Sequence, residues 1–257
     1  MDERKDEKTR QKWDAASRLF DLFAFGDERR LGPHKRRLFS KIRGATLMVA
    51  AGTGNDFQFL PPGQQILAID ISPRMLERAA KKAVGYSGSI ELREMDVCAL
   101  PHPDASFDTV VMACTFCSVP RPVAGLRELH RVLKPDGQLL MFEHVRSKIG
   151  VVGVLLDLMT QLSRRFGPEL NRDTVGNVIK AGFALRREEN IYLDIVKSIE
   201  AVKQPSWPPR RWGREPTEEK EVYDDERKGE PDSGDGGLDV LGWMVGHGRA
   251  AGHARHR

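Results

Sequence analysis

The sequence predicts an α/β fold built on an open, mostly parallel sheet with helices on both faces. Three observations carry that reading. Short apolar runs of strand length recur, each bounded by Gly, Pro or Asp, as for strands buried on both sides. Helical spacing of apolar residues fills the gaps between them. A glycine turn follows the first run and a carboxylate ends the second, which is how such a sheet presents a nucleoside.

The elements follow in order. Thr46-Leu-Met-Val-Ala-Ala-Gly-Thr-Gly-Asn55 reads as a buried strand and a tight turn, and Ile66-Leu-Ala-Ile-Asp70 as the second strand. Ser72-Pro73 supplies an N-cap and a first-turn proline for a helix over Arg74 to Val84. Ile90 to Asp96 is a third strand, again closing on an acid, and Ser106 to Ala113 a fourth. Val123 to Leu133 has helical spacing and stops before Pro135; Gly137 to His144 is the fifth strand. A helix around Asp173 to Lys180, ended by Gly182, precedes two strands near Phe183 to Arg187 and Asn190 to Glu200.

The turn narrows the ligand. A Cβ at Gly52 or Gly54 would collide with it or forbid the turn. A dinucleotide fingerprint needs a third glycine where this chain has Phe57, and no phosphate-loop Gly-Lys-Ser/Thr follows. A nucleoside without a diphosphate fits. Asp70, at the end of the second strand, is placed to accept the ribose hydroxyls.

Taken in order, Gly52-Thr-Gly54, Asp70-Ile-Ser-Pro-Arg-Met-Leu76, Met95-Asp96, Leu100 to Asp108 and Arg131-Val-Leu-Lys-Pro-Asp-Gly137 resemble class I S-adenosylmethionine-dependent methyltransferases. Trp13-Asp14, Phe20-Asp21 and Phe25-Gly26 resemble the ubiquinone/menaquinone C-methyltransferase type. Phe57 to Gly63 and Cys117-Ser-Val119 resemble the small-molecule thiol methyltransferases, and the front end is also similar to bacterial phosphatidylethanolamine N-methyltransferases. The resemblance covers residues 10 to 203. It implies a Rossmann-like three-layer sandwich with a seven-stranded, mostly parallel sheet whose last strand pair is antiparallel. It also implies S-adenosylmethionine as cofactor and a small-molecule or lipid-like methyl acceptor: a quinone-precursor ring, an alkyl thiol or a phospholipid amine.

The resemblance distributes the site. Ala50, Gly52, Thr53 and Gly54 pass beneath the methionine portion, whose carboxylate meets the amides opening the next helical turn. Asp96 sits at the adenine amino group with Val97 beside the ring; Met75 flanks the adenine, and Ile71 completes the contacts around Asp70. Thr115, Phe116 and Cys117 leave the fourth strand where substrate meets cofactor. Glu143 and His144 end the fifth strand as candidate bases, although a packed structural histidine fits that position equally. Two positions depart from the family. Met48 stands where an acid is usual and Ala50 where a glycine is, which implies weaker cofactor binding.

Composition bounds the rest. The 257 residues allow one ordinary domain with appendages. Net charge is +4, with acids and bases interspersed and no long basic block, so nucleic acid is not a favoured partner. The charged start and the absence of a spanning apolar run predict a cytosolic protein, with peripheral membrane contact through the first helix and Arg36-Arg37 as a lesser possibility. The three cysteines, Cys98, Cys114 and Cys117, suit a reducing compartment; the single Cys114-Thr-Phe-Cys117 offers too few ligands for structural zinc and reads as small residues beside the pocket or, less favoured, a redox pair.

Three segments are expected. Residues 1–43 form an amino-terminal helical lid, with Trp13, Ala16, Phe20 and Phe23 on one face of a helix over Lys12 to Ala24. Residues 44–203 form the nucleoside-binding domain, including an insert, Val151 to Phe166, read as a helix lining the acceptor pocket or packed in the core. In residues 204–257 about a quarter of positions are Gly or Pro, which predicts a disordered charged tail. Two further functional classes stay open: a degenerate cofactor-binding protein, motivated by Met48, and a nicotinamide oxidoreductase, disfavoured by Phe57.

Overall fold

Seven strands form one sheet in the order β3-β2-β1-β4-β5-β7-β6, and the computed structural model describes residues 3–163 and 169–204. The strands are β1 (Thr46–Val49), β2 (Gln65–Asp70), β3 (Ser89–Glu94), β4 (Phe107–Ala113), β5 (Leu133–His144), β6 (Phe183–Tyr192) and β7 (Val196–Lys203). β1 to β5 run parallel. β7 is antiparallel to both β5 and β6, which gives the expected antiparallel end. The predicted tail from Pro205 lies outside the described residues.

Side-chain alternation explains the two layers of core. Leu47, Val49, Val110, Met112, Leu139 and Met141 point to one face, where they meet Leu126, Leu129 and Val132 of α3 (Pro122–Val132) and Val178 of α5 (Thr174–Lys180). Met48, Val111, Leu140 and Phe142 point to the other. There they pack with Ala79 of α2 (Pro73–Ala83), with Phe57 and Phe59 of a short 3-10 turn (Asn55–Phe59), and with Leu31, Leu38 and Phe39 of α1 (Glu3–Phe39). Met48 is therefore packed in the core, 1% exposed.

Three expectations need correction. The first helix is much longer than Lys12 to Ala24, running 37 residues through Gly32-Pro33. That pair reads as a break locally, but Leu31, Leu38 and Phe39 are buried on the sheet and Gly32 lets the Phe59 ring close in, so tertiary packing carries the helix past the proline. The predicted strand Asn190 to Glu200 is split by a turn in which Leu193 and Asp194 adopt positive φ. The insert helix α4 (Gly150–Ser163) forms as expected but neither lines the pocket nor buries its apolar side; Val151, Val154 and Leu158 are exposed. The Phe20 and Phe23 side chains and the insert's end beyond Ser163 lie outside the described residues. No helix among the described residues is long and apolar enough to cross a membrane.

The predicted N-cap forms: the Met75 amide donates to Ser72 Oγ at 3.1 Å, opening α2 at Pro73. At Gly54 φ is +80°, and a Cβ would lie 2.8 Å from the Phe57 ring and 3.1 Å from Ala79 Cα. Gly54→Ala should therefore destabilise the domain by about 1–3 kcal/mol, read as a lower midpoint in urea unfolding.

Candidate functional site

A cavity of about 380 Å³ opens at the carboxyl ends of β1, β2 and β4, where the strand order reverses. This is the switch point at which open α/β sheets bind ligands, and the volume lies within the small-molecule range. Its floor is the turn after β1. Ala50 and Gly52 have φ of +52° and +56°, and a Cβ on Gly52 would meet nothing within 4 Å. That open space is what a ligand in close contact with the backbone requires. Ala50 holds the left-handed conformation without being glycine, at a cost of about 1–2 kcal/mol.

Asp70 organises one wall. Its carboxylate is buried and accepts hydrogen bonds from the amides of Gly52 and Ser72, both at 2.9 Å. Burial raises its pKa, while the amides of Ser72, Gly52 and Ile71 oppose that shift. Each carboxylate oxygen retains further lone-pair capacity, so the ribose hydroxyls can still be accepted. Ser72 Oγ donates in turn to Asp14 Oδ1 at 2.5 Å, which ties α1 to the mouth of α2. Asp96 accepts from the Cys98 amide at 2.8 Å and lies 3.7 Å from Arg121. Ile71, Met75 and Val97 line the same end of the cavity.

Opposite lie the residues leaving β4 and β5. Glu143 is completely buried, and its Oε1 accepts the Thr115 and Phe116 amides at 2.9 and 3.1 Å. Its other oxygen has no hydrogen-bond partner among the described residues, and burial pushes the carboxyl up to about 7. Thr115, Cys117 and His144 face the cavity. The Cys117 thiol donates to the Cys114 carbonyl at 3.2 Å and is hydrogen-bonded to His144; burial pushes its pKa up.

Of the residues singled out from sequence, Ala50, Gly52, Thr53, Asp70, Ile71, Met75, Asp96, Val97, Thr115 and His144 all line this cavity. Two do not. Gly54 turns the chain and packs under Phe57, and the following segment is a single 3-10 turn in place of a helix. Glu143 lies beneath the β4 exit as a backbone acceptor, because neighbours in a strand point to opposite faces and His144 takes the cavity side. Sequence reasoning missed Thr9 and Lys35, which reach the cavity from α1 beside Trp13; Lys35 pairs with Asp56 at 2.7 Å. The helical period placed Trp13, but nothing local signalled Lys35, which lies beyond the predicted end of the helix at Ala24.

Comparisons with known proteins bear on the family and the fold. Residues 47–141 match the family described as methyltransferase domain. The chain is 34% identical over 134 residues to human thiol S-methyltransferase TMT1B, an alignment covering 48% of this chain and 54% of that protein. It is 32% identical over 162 residues to the demethylmenaquinone methyltransferase of Thermus thermophilus, covering 62% and 67%. The chain thus spans about half to two thirds of the length of these relatives. A solved structure from Thermotoga maritima, titled an S-adenosylmethionine-dependent methyltransferase and possible histamine N-methyltransferase, shares the fold with TM-score 0.57 at 19% identity, covering 75% of this chain and all of that one.

Glu143 gives a pH signature. The unfolded carboxyl ionises near 4.5 and the folded one near 7, so between those values only the unfolded chain has released the proton. Stability from this group therefore falls as pH rises through that window. Glu143→Gln keeps an oxygen for the two amides but cannot ionise. Its stability relative to the parent should rise by about 2–3 kcal/mol from about pH 4.5 to 7.5 in urea titrations.

Proposed function

Because the chain belongs to the S-adenosylmethionine-dependent methyltransferases, we propose that it transfers a methyl group to a small-molecule or lipid-like acceptor, such as an alkyl thiol, a quinone-precursor ring or a phospholipid amine. The observation that carries this reading is the cavity itself. It joins Asp70 and Asp96 at neighbouring strand ends to a largely apolar wall from Cys114 to Pro120. When bound, S-adenosylmethionine supplies a methyl group already activated by its sulfonium charge.

The chain's own residues supply the rest. Gly52 admits the ligand against the backbone, Asp70 accepts the ribose hydroxyls, and Asp96, with Val97 and Met75, holds the base. Trp13 and Thr9 of α1 cover the cavity and exclude water. Glu143 fixes the Thr115 and Phe116 amides, and through them the wall against which the acceptor rests. His144, on that wall, takes the proton that the acceptor gives up. The three cysteines, none of them in a disulfide, suit a reducing, cytosolic setting.

The test is transfer of labelled methyl from S-adenosylmethionine into small-molecule and lipid extracts, partitioned between organic and aqueous phases. Asp70→Ala should weaken S-adenosylhomocysteine binding by about 10- to 100-fold, the loss of hydrogen bonds to a charged acceptor. His144→Ala should lower kcat by about 100-fold or more while leaving cofactor affinity unchanged. Label transfer that persists undiminished in Asp70→Ala would overturn the ribose assignment.

A further inference from the structure

Helix α4 is inside out. Its buried positions are Gly153, Leu156 and Thr160, whereas Val151, Val154, Leu155, Leu158 and Met159 are between 48% and 83% exposed. The spacing i, i+3, i+4, i+7, i+8 makes these five one continuous stripe. A soluble helix normally places such a stripe against its core, and an exposed one of this size marks a docking surface. The stripe continues off the helix. Ile149 and Leu193 are each about half exposed, and Ser147 Oγ donates to the Leu193 carbonyl at 3.3 Å while the Lys148 amide donates to Asp194 at 2.6 Å.

The surrounding charges favour an anionic surface. Asp157, the sole charged residue of α4, is held by Arg146 through contacts of 2.7 and 3.0 Å. Asp194 is bonded to Lys197 at 2.9 Å. Lys148 is exposed at the edge of the stripe, and exposed Arg30 lies 3.7 Å from the ring of Tyr192, next to Leu193. Asp157 is thus paired with Arg146, and buried Lys197 is shared by Asp194 and Glu188, while Lys148 and Arg30 are the exposed cations at this border. The stripe itself is made of valine, leucine and methionine side chains. It lacks the aromatic and arginine anchors that protein interfaces concentrate at their centres, which suits acyl chains better than a folded partner.

The helix is also joined to the cavity. Thr160 Oγ1 accepts the Leu170 amide at 3.0 Å, the Glu169 amide donates to the Cys117 carbonyl at 2.8 Å, and Arg172 donates to the Phe116 carbonyl at 3.1 Å. The buried face of α4 therefore abuts the segment that braces the acceptor wall.

We propose that the α4 stripe lies in the interfacial layer of an anionic phospholipid bilayer, bringing the acceptor wall to the lipid phase. At 14 residues, about 21 Å long, the helix lies along such a surface and does not span it. The purpose of the docking rests on the proposed lipid-like acceptor; the binding does not.

Co-sedimentation of the full chain with vesicles of phosphatidylcholine and phosphatidylglycerol tests this. The parent should sediment with mixed vesicles and less with phosphatidylcholine alone. Val154→Glu/Leu158→Glu should bind at least tenfold more weakly, while Val84→Glu, at an exposed valine after α2, binds as the parent does. Unchanged circular dichroism and S-adenosylhomocysteine affinity in the double variant would show an intact fold and cofactor site. A parent that stays in the supernatant, or a double variant that sediments equally, overturns the proposal. So does a dimer in sedimentation velocity that the double variant dissolves without any vesicle binding, which would assign the stripe to a second copy. Vesicle binding without methyl transfer would remove the proposed function and leave this inference standing.

Discussion

The buried carboxylate of Asp70 is the constraint on which the rest of the site depends. Its two oxygens hold the turn after β1 and the exit from β2, through the amides of Gly52 and Ser72. Ser72 then caps α2 and donates to Asp14 of α1. One side chain thus fixes the floor of the cavity, the start of the neighbouring helix and, through one hydroxyl, the helix that covers the opening. A buried acid is costly unless its oxygens are bonded. Here the same amides that meet that need also position the ligand-facing backbone, so structural and binding demands coincide.

A second buried acid does comparable work across the cavity with the opposite balance. Glu143 has two amides on one oxygen and none on the other, and burial dominates its protonation. The two acids differ in what lies between them and the ligand. Asp70 lines the cavity, whereas Glu143 acts through the loop from Thr115 to Cys117.

Much of the sheet was legible because each strand carries its own record: alternate residues go to the two apolar clusters, and the turn glycines and strand-end acids sit where strands stop. Asp70, Asp96 and the β1 turn are local signals of this kind, so they were readable. What failed was non-local. Glu143 and His144 are adjacent, and only the register of β5 decides which one faces the cavity. Gly32-Pro33 looks like a break until the Phe59 ring is seen to fill the space that glycine leaves. The apolar run of α4 says that it avoids water, not which surface covers it. Met48 belongs with these cases: its departure from the family pattern is plain in sequence, but only the packing shows that it faces Phe57 and Val111 in the core cluster.

Ala50 and Cys114 share one further property. Both are non-glycine residues at positive φ, both line the cavity, and each directly follows a strand of the neighbouring pair β1 and β4. The pocket is accordingly a place where the fold gives up stability, in a domain whose total margin is only about 5–15 kcal/mol. Glycine at either position would relax the backbone, but it would also free the turn that aims the cavity wall. Thermal robustness and accuracy of the site therefore pull in opposite directions at these two residues, and selection for heat resistance would be expected to reach the apolar clusters before it reaches them.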